Sequence, residues 1–426
     1  MLSVFLIALF ALVLMSVPVA FALLLTALIM MGLMHAFSPT LLIQNMMRGV
    51  DNFPLMAIPF FILAGEIMNA GGISKRIVGF AKAAVGHVTG GLGYVTVVAS
   101  MFFAGVSGSA VADTTAIGSI LYPIMEKEGY NKEKSAALFS AAGCIGPIIP
   151  PSIPMIIYGV IGNVSIVKLF LSGIIPGVLI GVALMFGWYL YARKRNYKAE
   201  GKFSIREVLV AAKNAFFAIL LPIIILGGII FGVYTPTEAG VISVVYAFVV
   251  SYFVYRELKL KEIPRLLMRA ARSTAVVMLI LATATAVAYY ITIAQIPQLL
   301  SDTILAIAGN SHILIMLVIN VLLLLVGCVM DLTPALLIMV PMLLPIAAHF
   351  GIDLVYLGCV MVVNLCIGLI TPPVGNILYV GCSVSHLPMG KLARAILPNV
   401  LIMIAVLMLI TYVPGLVTAI PNLVHR

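Results

Sequence analysis

The sequence predicts an all-α polytopic membrane protein built from two inverted repeats, and three observations carry that prediction. The first is composition. Of 426 residues, 63% are hydrophobic and 9% charged, with a mean hydropathy of +1.23. A soluble chain carries about 25% charged residues, and no soluble core grows large enough to hide this much apolar surface. The second is the recurrence of apolar runs of about 20 residues from end to end, the length at which a helix crosses hydrocarbon. Strands of a membrane barrel would instead alternate polar and apolar residues. The third is an internal repeat. CIGPIIPPSIPMIIYG (144–159) and CIGLITPPVGNILYVG (366–381) match at seven of sixteen positions at an offset of 222.

Single crossings are expected at 2–15, 18–34, 54–71, 168–192, 213–233, 236–255, 274–296 and 391–418. Pro18 makes the break between the first two, because it cannot continue a helix. The N-terminal run lacks a basic flank and reads as a mature segment, not a cleaved signal. The runs 91–125 and 311–347 are too long for one crossing and carry Gly, Pro and Asp near their middles, so each reads as a re-entrant hairpin. The runs 134–161 and 354–382 contain Pro-Pro and read as broken helices.

The repeat extends beyond the Pro-Pro segments. The offset of 222 also pairs Pro123 with Pro345 and Gly129 with Gly351. Upstream an offset of 218 pairs Pro18 with Pro236, Ile-Leu-Ala at 62–64 with 280–282, Asp113 with Asp331, and Thr115 with Thr333. One four-residue insertion in the second hairpin accounts for the change. The halves are 1–212 and 213–426, each with an odd number of net crossings, so the second enters the bilayer upside down. Inverted repeats with discontinuous helices are a signature of secondary transporters.

Charge sets the orientation. Loops at 72–90, 126–135, 193–213, 256–273 and 383–394 hold 21 of the 24 Lys and Arg residues, leaving Arg48, Lys168 and Arg426 on the other side. Basic loops stay in the cytoplasm, which puts both termini in the periplasm. The net charge of +10 is therefore a topology signal and no sign of nucleic-acid binding. The basic amphipathic stretches 74–88 and 259–272 are expected along the inner membrane surface. Five cysteines in apolar segments form no CxxC pair, and HExxH, P-loop and GxGxxG motifs are missing. With no nucleophile–base pair, an enzyme is not expected.

The chemistry is expected at the breaks. Proline has no N–H for the carbonyl four residues earlier. Pro147, Pro150, Pro151 and Pro154 free the carbonyls of Gly143, Gly146, Pro147 and Pro150; Pro372 and Pro373 free those of Gly368 and Leu369. Unpaired carbonyls in hydrocarbon are costly, and a cation such as Na⁺ would satisfy them, with hydroxyls of Ser107, Ser109, Ser152 and Thr371 completing the shells. The hairpin tips carry Asp113 (in FFAGVSGSAVADTTAIGS) and Asp331 (in GCVMDLTPA). Intramembrane carboxylates are functional candidates by default. They would bind Na⁺, carry protons or cap the second half-helix; DTT and DLTP resemble helix starts, which favours capping and tuning of a neighbouring site. Free N–H groups at those starts favour an anionic substrate, with Asn376 a further polar ligand. Glu66 and Glu238 lie near segment ends and read as packing or interface residues, Tyr158 and Tyr379 as packing residues. Trp188 reads as an interfacial anchor.

At these residues the chain resembles the large membrane subunit of TRAP (tripartite ATP-independent periplasmic) transporters. The matching stretches are AIPFFILAGEIMNAGGISKRI (57–77), GVSGSAVADTTAIGSILYPIM (105–125), GPIIPPSIPMIIYG (146–159), YTPTEAG (234–240), MDLTPALLI (330–338) and GLITPPVGN (368–376). The resemblance implies uptake of an organic acid on a Na⁺ gradient across a bacterial inner membrane. It also implies a periplasmic binding protein that delivers the substrate and a separate small membrane subunit. An elevator mechanism follows from it, in which hairpins and broken helices form a transport domain and the rest a scaffold. By position it implies two Na⁺ sites, one around Ser107, Ser109, Gly146, Ile149 and Pro150, the other around Gly327, Gly368 and Thr371. Ser152, Asn376, Asp113 and Asp331 would then face the substrate. Overall similarity leans toward sialic acid, ahead of C4-dicarboxylates.

Overall fold

Prolines and polar N-caps set most helix starts in the computed structural model, which describes residues 1–35, 37–195, 197, 203–309 and 311–424. Arg426, together with Lys198 and Lys202 of the expected 193–213 loop, lies outside the described residues. Among those described, secondary structure is entirely helical, and eight helices are long and apolar enough to cross a membrane. The chain is a multi-span membrane protein.

Leu2–Leu14 and Val19–Leu33 are separated at Pro18 as expected. Both long runs are hairpins: Gly91–Ser107 turns into Ala110–Lys127, and His312–Val329 turns into Leu332–His349. Both Pro-Pro runs are broken helices, Lys132–Gly143 with Ile153–Gly162, and Leu354–Gly368 with Asn376–Ser385.

The repeat is visible residue by residue. Asn131 and Asp353, 222 positions apart, cap the two broken helices, accepting from the N–H groups of Lys134 (2.9 Å) and Tyr356 (2.7 Å). Two residues before each cap, Gly129 and Gly351 take φ of +77° and +66°, a left-handed turn that glycine adopts without a Cβ penalty. The peptide bonds Pro150-Pro151 and Pro372-Pro373 are both cis.

Several expectations need correction. The stretch 259–272 is no separate surface helix: it runs into Ile263–Ile293, 31 unbroken residues and about 46 Å long. Nothing in that stretch after Pro264 stops a helix. Its counterpart in the first half is interrupted, as Pro39–Val50 followed by Phe53–Ala70, because Asp51 and Asn52 leave helical geometry and Pro54 opens a new turn. Pro39–Val50 and Ile296–Ala308 are amphipathic helices that hydropathy did not reveal. The crossing expected at 213–233 starts earlier, at Ile205, capped by Ser204. That expected at 391–418 ends at Tyr412 before Pro414, and Gly415–Val424 is a separate helix. Trp188 is no lipid-facing anchor: it is buried and donates from Nε1 to the Gly90 carbonyl (2.9 Å). Tyr379 is 57% exposed, while Tyr158 is buried and donates to the Leu354 carbonyl (2.7 Å).

Two packed groups of helices result. Val19–Leu33, Pro39–Val50, Phe53–Ala70, Pro236–Val254 and Ile263–Ile293 pack on one another, with Ile73–Val85 against Ile205–Ile230. The hairpins and broken helices interdigitate in the other group, and Ile166–Lys194 and Met389–Tyr412 pack onto that group. The groups meet where Phe53–Ala70 and Ile263–Ile293 face the hairpins.

Candidate functional site

The first hairpin tip sits against the first break. Gly108, at φ +59°, lies so close that a Cβ there would be 2.6 Å from the Pro151 carbonyl oxygen. Ser109, not Asp113, caps Ala110–Lys127, accepting from the Ala112 N–H (3.4 Å). Asp113 lies in the first turn, fully buried, and its carboxylate accepts a short bond from the Ser107 hydroxyl. Among the described residues, the other carboxylate oxygen, Oδ2, has no hydrogen-bond partner, nor does the adjacent Thr114 hydroxyl. That free oxygen points at the break: a Cβ on Gly146 would be 2.3 Å from it.

The freed carbonyls of the first break divide into two groups. The Gly143 carbonyl takes the Gly146 N–H (3.1 Å), and the Pro147 carbonyl takes a short bond from the Ser152 hydroxyl. Ser152 also caps Ile153–Gly162 by accepting from the Met155 N–H (3.3 Å). Among the described residues, no hydrogen bond reaches the carbonyls of Gly146 and Pro150. Each such buried group costs about 1–3 kcal/mol if left unpaired. The hairpin tip that carries Ser107 and Ser109 thus lies beside the break that carries Gly146 and Pro150. The side chain of Ile149 is directed elsewhere, against Gly177 of Ile166–Lys194.

The second break is closed differently. The Gly368 carbonyl takes the Thr371 N–H (3.0 Å) and the Leu369 carbonyl takes the Ile377 N–H (3.0 Å). The Val374 N–H reaches across to the Cys328 carbonyl of the hairpin tip (3.2 Å). Gly327 and Gly368 meet backbone to backbone; a Cβ on Gly368 would be 2.5–2.7 Å from Gly327 main-chain atoms. The Thr371 hydroxyl donates to the Ile367 carbonyl (2.7 Å) and keeps its lone pairs. Asp331 occupies the N-cap position of Leu332–His349, but its side chain makes no cap bond. Asn376 opens Asn376–Ser385 behind Gly375 at φ +55°.

Between the two helix groups lies a cavity of about 780 Å³. Its hairpin-side wall includes Ser107–Ala112 and Asp331–Thr333, together with Pro147 and Leu369 from the breaks. Its opposite wall includes Glu66, Lys75 and Arg269. Asp331, Ser107 and Ser109 thus line the cavity, whereas Asp113, Ser152 and Asn376 do not. The sequence reads Glu66 as a packing or interface residue and leaves Lys75 and Arg269 unremarked within the basic stretches 74–88 and 259–272; only the packing of distant helices puts all three on the cavity wall. Glu238, by contrast, is structural: it closes a capping box with Thr235.

Two hairpins whose tips abut two broken helices, packed beside a second group of membrane helices, define a membrane transporter fold. The same architecture occurs in the crystal structure of the YdaH transporter of Alcanivorax borkumensis (TM-score 0.63, 15% identity), with 90% of this chain and 88% of that one covered. At that identity the likeness concerns the fold. Family membership comes from sequence: residues 6–416 match the tripartite ATP-independent periplasmic transporter, DctM component, and the chain belongs to that family. A putative TRAP transporter large permease protein of Haemophilus influenzae is 46% identical over 414 residues, with 97% of each chain covered. The 2,3-diketo-L-gulonate TRAP transporter large permease protein of Escherichia coli is 43% identical, with 94% of each covered. The sialic acid TRAP transporter large permease protein of Vibrio cholerae is 40% identical, with 96% of this chain and 95% of that one covered. The chain is a TRAP large permease, a transporter and not an enzyme.

Proposed function

We propose that this permease imports an organic acid across a bacterial inner membrane by coupling it to Na⁺. The supporting observation is the first break. There the carbonyls of Gly146 and Pro150 take no hydrogen bond among the described residues, the free oxygen of Asp113 is aimed at Gly146, and the hydroxyls of Ser107 and Ser109 lie on the adjoining hairpin tip. A small hard cation takes oxygen ligands of this kind and would remove the cost of leaving them unpaired. The second site would use the Gly327 carbonyl and the Thr371 hydroxyl. The anionic substrate would enter the cavity between the two Asp-bearing tips and the basic wall. In this reading the basic loops lie in the cytoplasm, so the Lys75 and Arg269 end of the cavity would face the cytoplasm and the termini the periplasm.

In this reading the hairpin group slides against the other group as an elevator. The mobile part carries Ile166–Lys194 and Met389–Tyr412 as well, since they pack on the hairpin side. A small membrane subunit and a periplasmic binding protein complete the assembly. Relatives named for 2,3-diketo-L-gulonate and for sialic acid are about equally similar, at 43% and 40% identity, so the proposal is the organic-acid class and no single acid.

The test is uptake into proteoliposomes holding the permease and its small partner. Labelled sialic acid, 2,3-diketo-L-gulonate and a C4-dicarboxylate would be offered with and without the binding protein and an inward Na⁺ gradient. Uptake of one acid that requires both is expected. Uptake that ignores Na⁺ would overturn the coupling, and uptake without the binding protein would make the chain a stand-alone carrier.

A further inference from the structure

Four charged side chains line the cavity: Glu66, Lys75 and Arg269 on one wall and Asp331 on the other. The arginine is engaged weakly. Its guanidinium lies 3.8 Å from the Glu66 carboxylate, with side-chain exposures of 61% and 31%, and among the described residues it makes no hydrogen bond. Arg76 is the instructive contrast. It donates to Glu257 at 2.6 Å and to the Gly72 carbonyl at 3.0 Å, and its guanidinium stacks 3.7 Å above the Tyr255 ring. Arg76 is spent on tying Ile73–Val85 to the segment after Val254. Arg269 retains its donors.

We propose that Arg269 is the specificity residue that selects anions in this cavity, and that Glu66 is the counter-charge that holds it when no anion is present. The proposal rests on the organic-acid reading above and adds the residue that recognises the carboxylate on the path. A planar guanidinium matches a carboxylate with two parallel N–H donors, which an ammonium such as that of Lys75 does not. A loose, partly solvated ion pair contributes little, so an arriving carboxylate displaces Glu66 at small cost. Both residues stand on long helices of the opposite wall, Phe53–Ala70 and Ile263–Ile293. Arg269 therefore stays in place as the hairpin tips, with their Ser and Thr side chains, change what they face. Glu66 also keeps the empty cavity near neutrality, so that stray anions are not trapped.

The test reads the cavity's charge selectivity without a substrate or a Na⁺ gradient. Ser119 is exposed on the cavity wall and serves as reporter, as Ser119→Cys in a full-length permease whose partly exposed Cys328 and Cys382 are replaced by Ala. Labelling rates are compared for an anionic methanethiosulfonate (sulfonatoethyl) and a cationic one (trimethylammonioethyl), with the neutral methyl reagent controlling for access and folding. Arg269→Gln should lower the anion-to-cation rate ratio about fivefold or more, Glu66→Gln should raise it severalfold, and Arg269→Lys should retain it. All differences should shrink in high salt. A ratio that stays within about twofold in Arg269→Gln, with neutral labelling intact, overturns the proposal. Because neither transport nor Na⁺ enters this readout, its failure is separate from failure of the uptake experiment.

Discussion

The two helix breaks occupy equivalent places in the two repeats, yet their freed carbonyls meet different ends. In the second break the carbonyls of Gly368 and Leu369 are taken by main-chain N–H groups, and the hairpin tip is locked on by a Gly327–Gly368 contact. The first break leaves the carbonyls of Gly146 and Pro150 open beside a buried carboxylate oxygen. Their carboxylates differ likewise: Asp113 is enclosed, while Asp331 faces the cavity. An internal repeat preserves where the backbone breaks, and local side chains decide what each break can hold. Among the described residues, the first break keeps two carbonyls without a hydrogen bond, whereas main-chain donors take both freed carbonyls of the second.

Breaking the second site's backbone contact should have the largest effect. Gly368→Ala puts a methyl group within 2.5–2.7 Å of Gly327 and forces the hairpin tip away, an overpacking cost of about 1–3 kcal/mol. Uptake should be abolished and the melting temperature of the detergent-solubilised protein should fall. Wild-type uptake would show that the tip contact is dispensable.

Asp113→Asn sharpens the comparison next, since it keeps the shape and the Ser107 contact while removing the charge. The stabilisation of the purified protein by Na⁺, read as a melting shift across a NaCl against KCl series, should drop by tenfold or more in apparent affinity, on the order of 1.4 kcal/mol. Asp331→Asn should leave that Na⁺ shift nearly intact while crippling uptake more than complex assembly. If the two variants behave alike, the distinction between a dry carboxylate and a cavity carboxylate fails.

Ser152→Ala removes both a helix cap and the donor to the Pro147 carbonyl, with an expected stability loss of about 1–2 kcal/mol, measurable by thermal denaturation. The smallest effect is expected from Thr371→Val. Its hydroxyl already donates to Ile367, so folding should survive while Na⁺ dependence of uptake weakens only a few-fold. An unchanged Na⁺ dependence would remove Thr371 from the second site.

Much of this architecture is legible in the chain because its signals are local. Proline removes one donor at a known position, which is why Pro18 and the two Pro-Pro runs fall where helices stop. Apolar run length separates hairpins from single crossings at 91–125 and 311–347. Short amphipathic helices such as Pro39–Val50 and Ile296–Ala308 are not legible this way, since a hydropathy window averages out a one-sided apolar face. The 259–272 stretch looks separate from its crossing in sequence because its charges interrupt apolarity but not helical geometry. The burial of Trp188 is not legible in sequence, because a tryptophan near a helix end gives no sign of which way it faces.

The amino-acid sequence by itself determined the membrane class, the repeat, the places where helices must break and which carbonyls those breaks release. All of these follow from composition and from what proline and glycine do to the nearest few residues. Only the tertiary structure decided which released carbonyls find a donor, that Asp113 is sealed in while Asp331 is not, and that Glu66 and Arg269 look across a cavity at the hairpin tips. Those outcomes depend on groups that are remote in sequence, and their positions are settled by how whole helices pack.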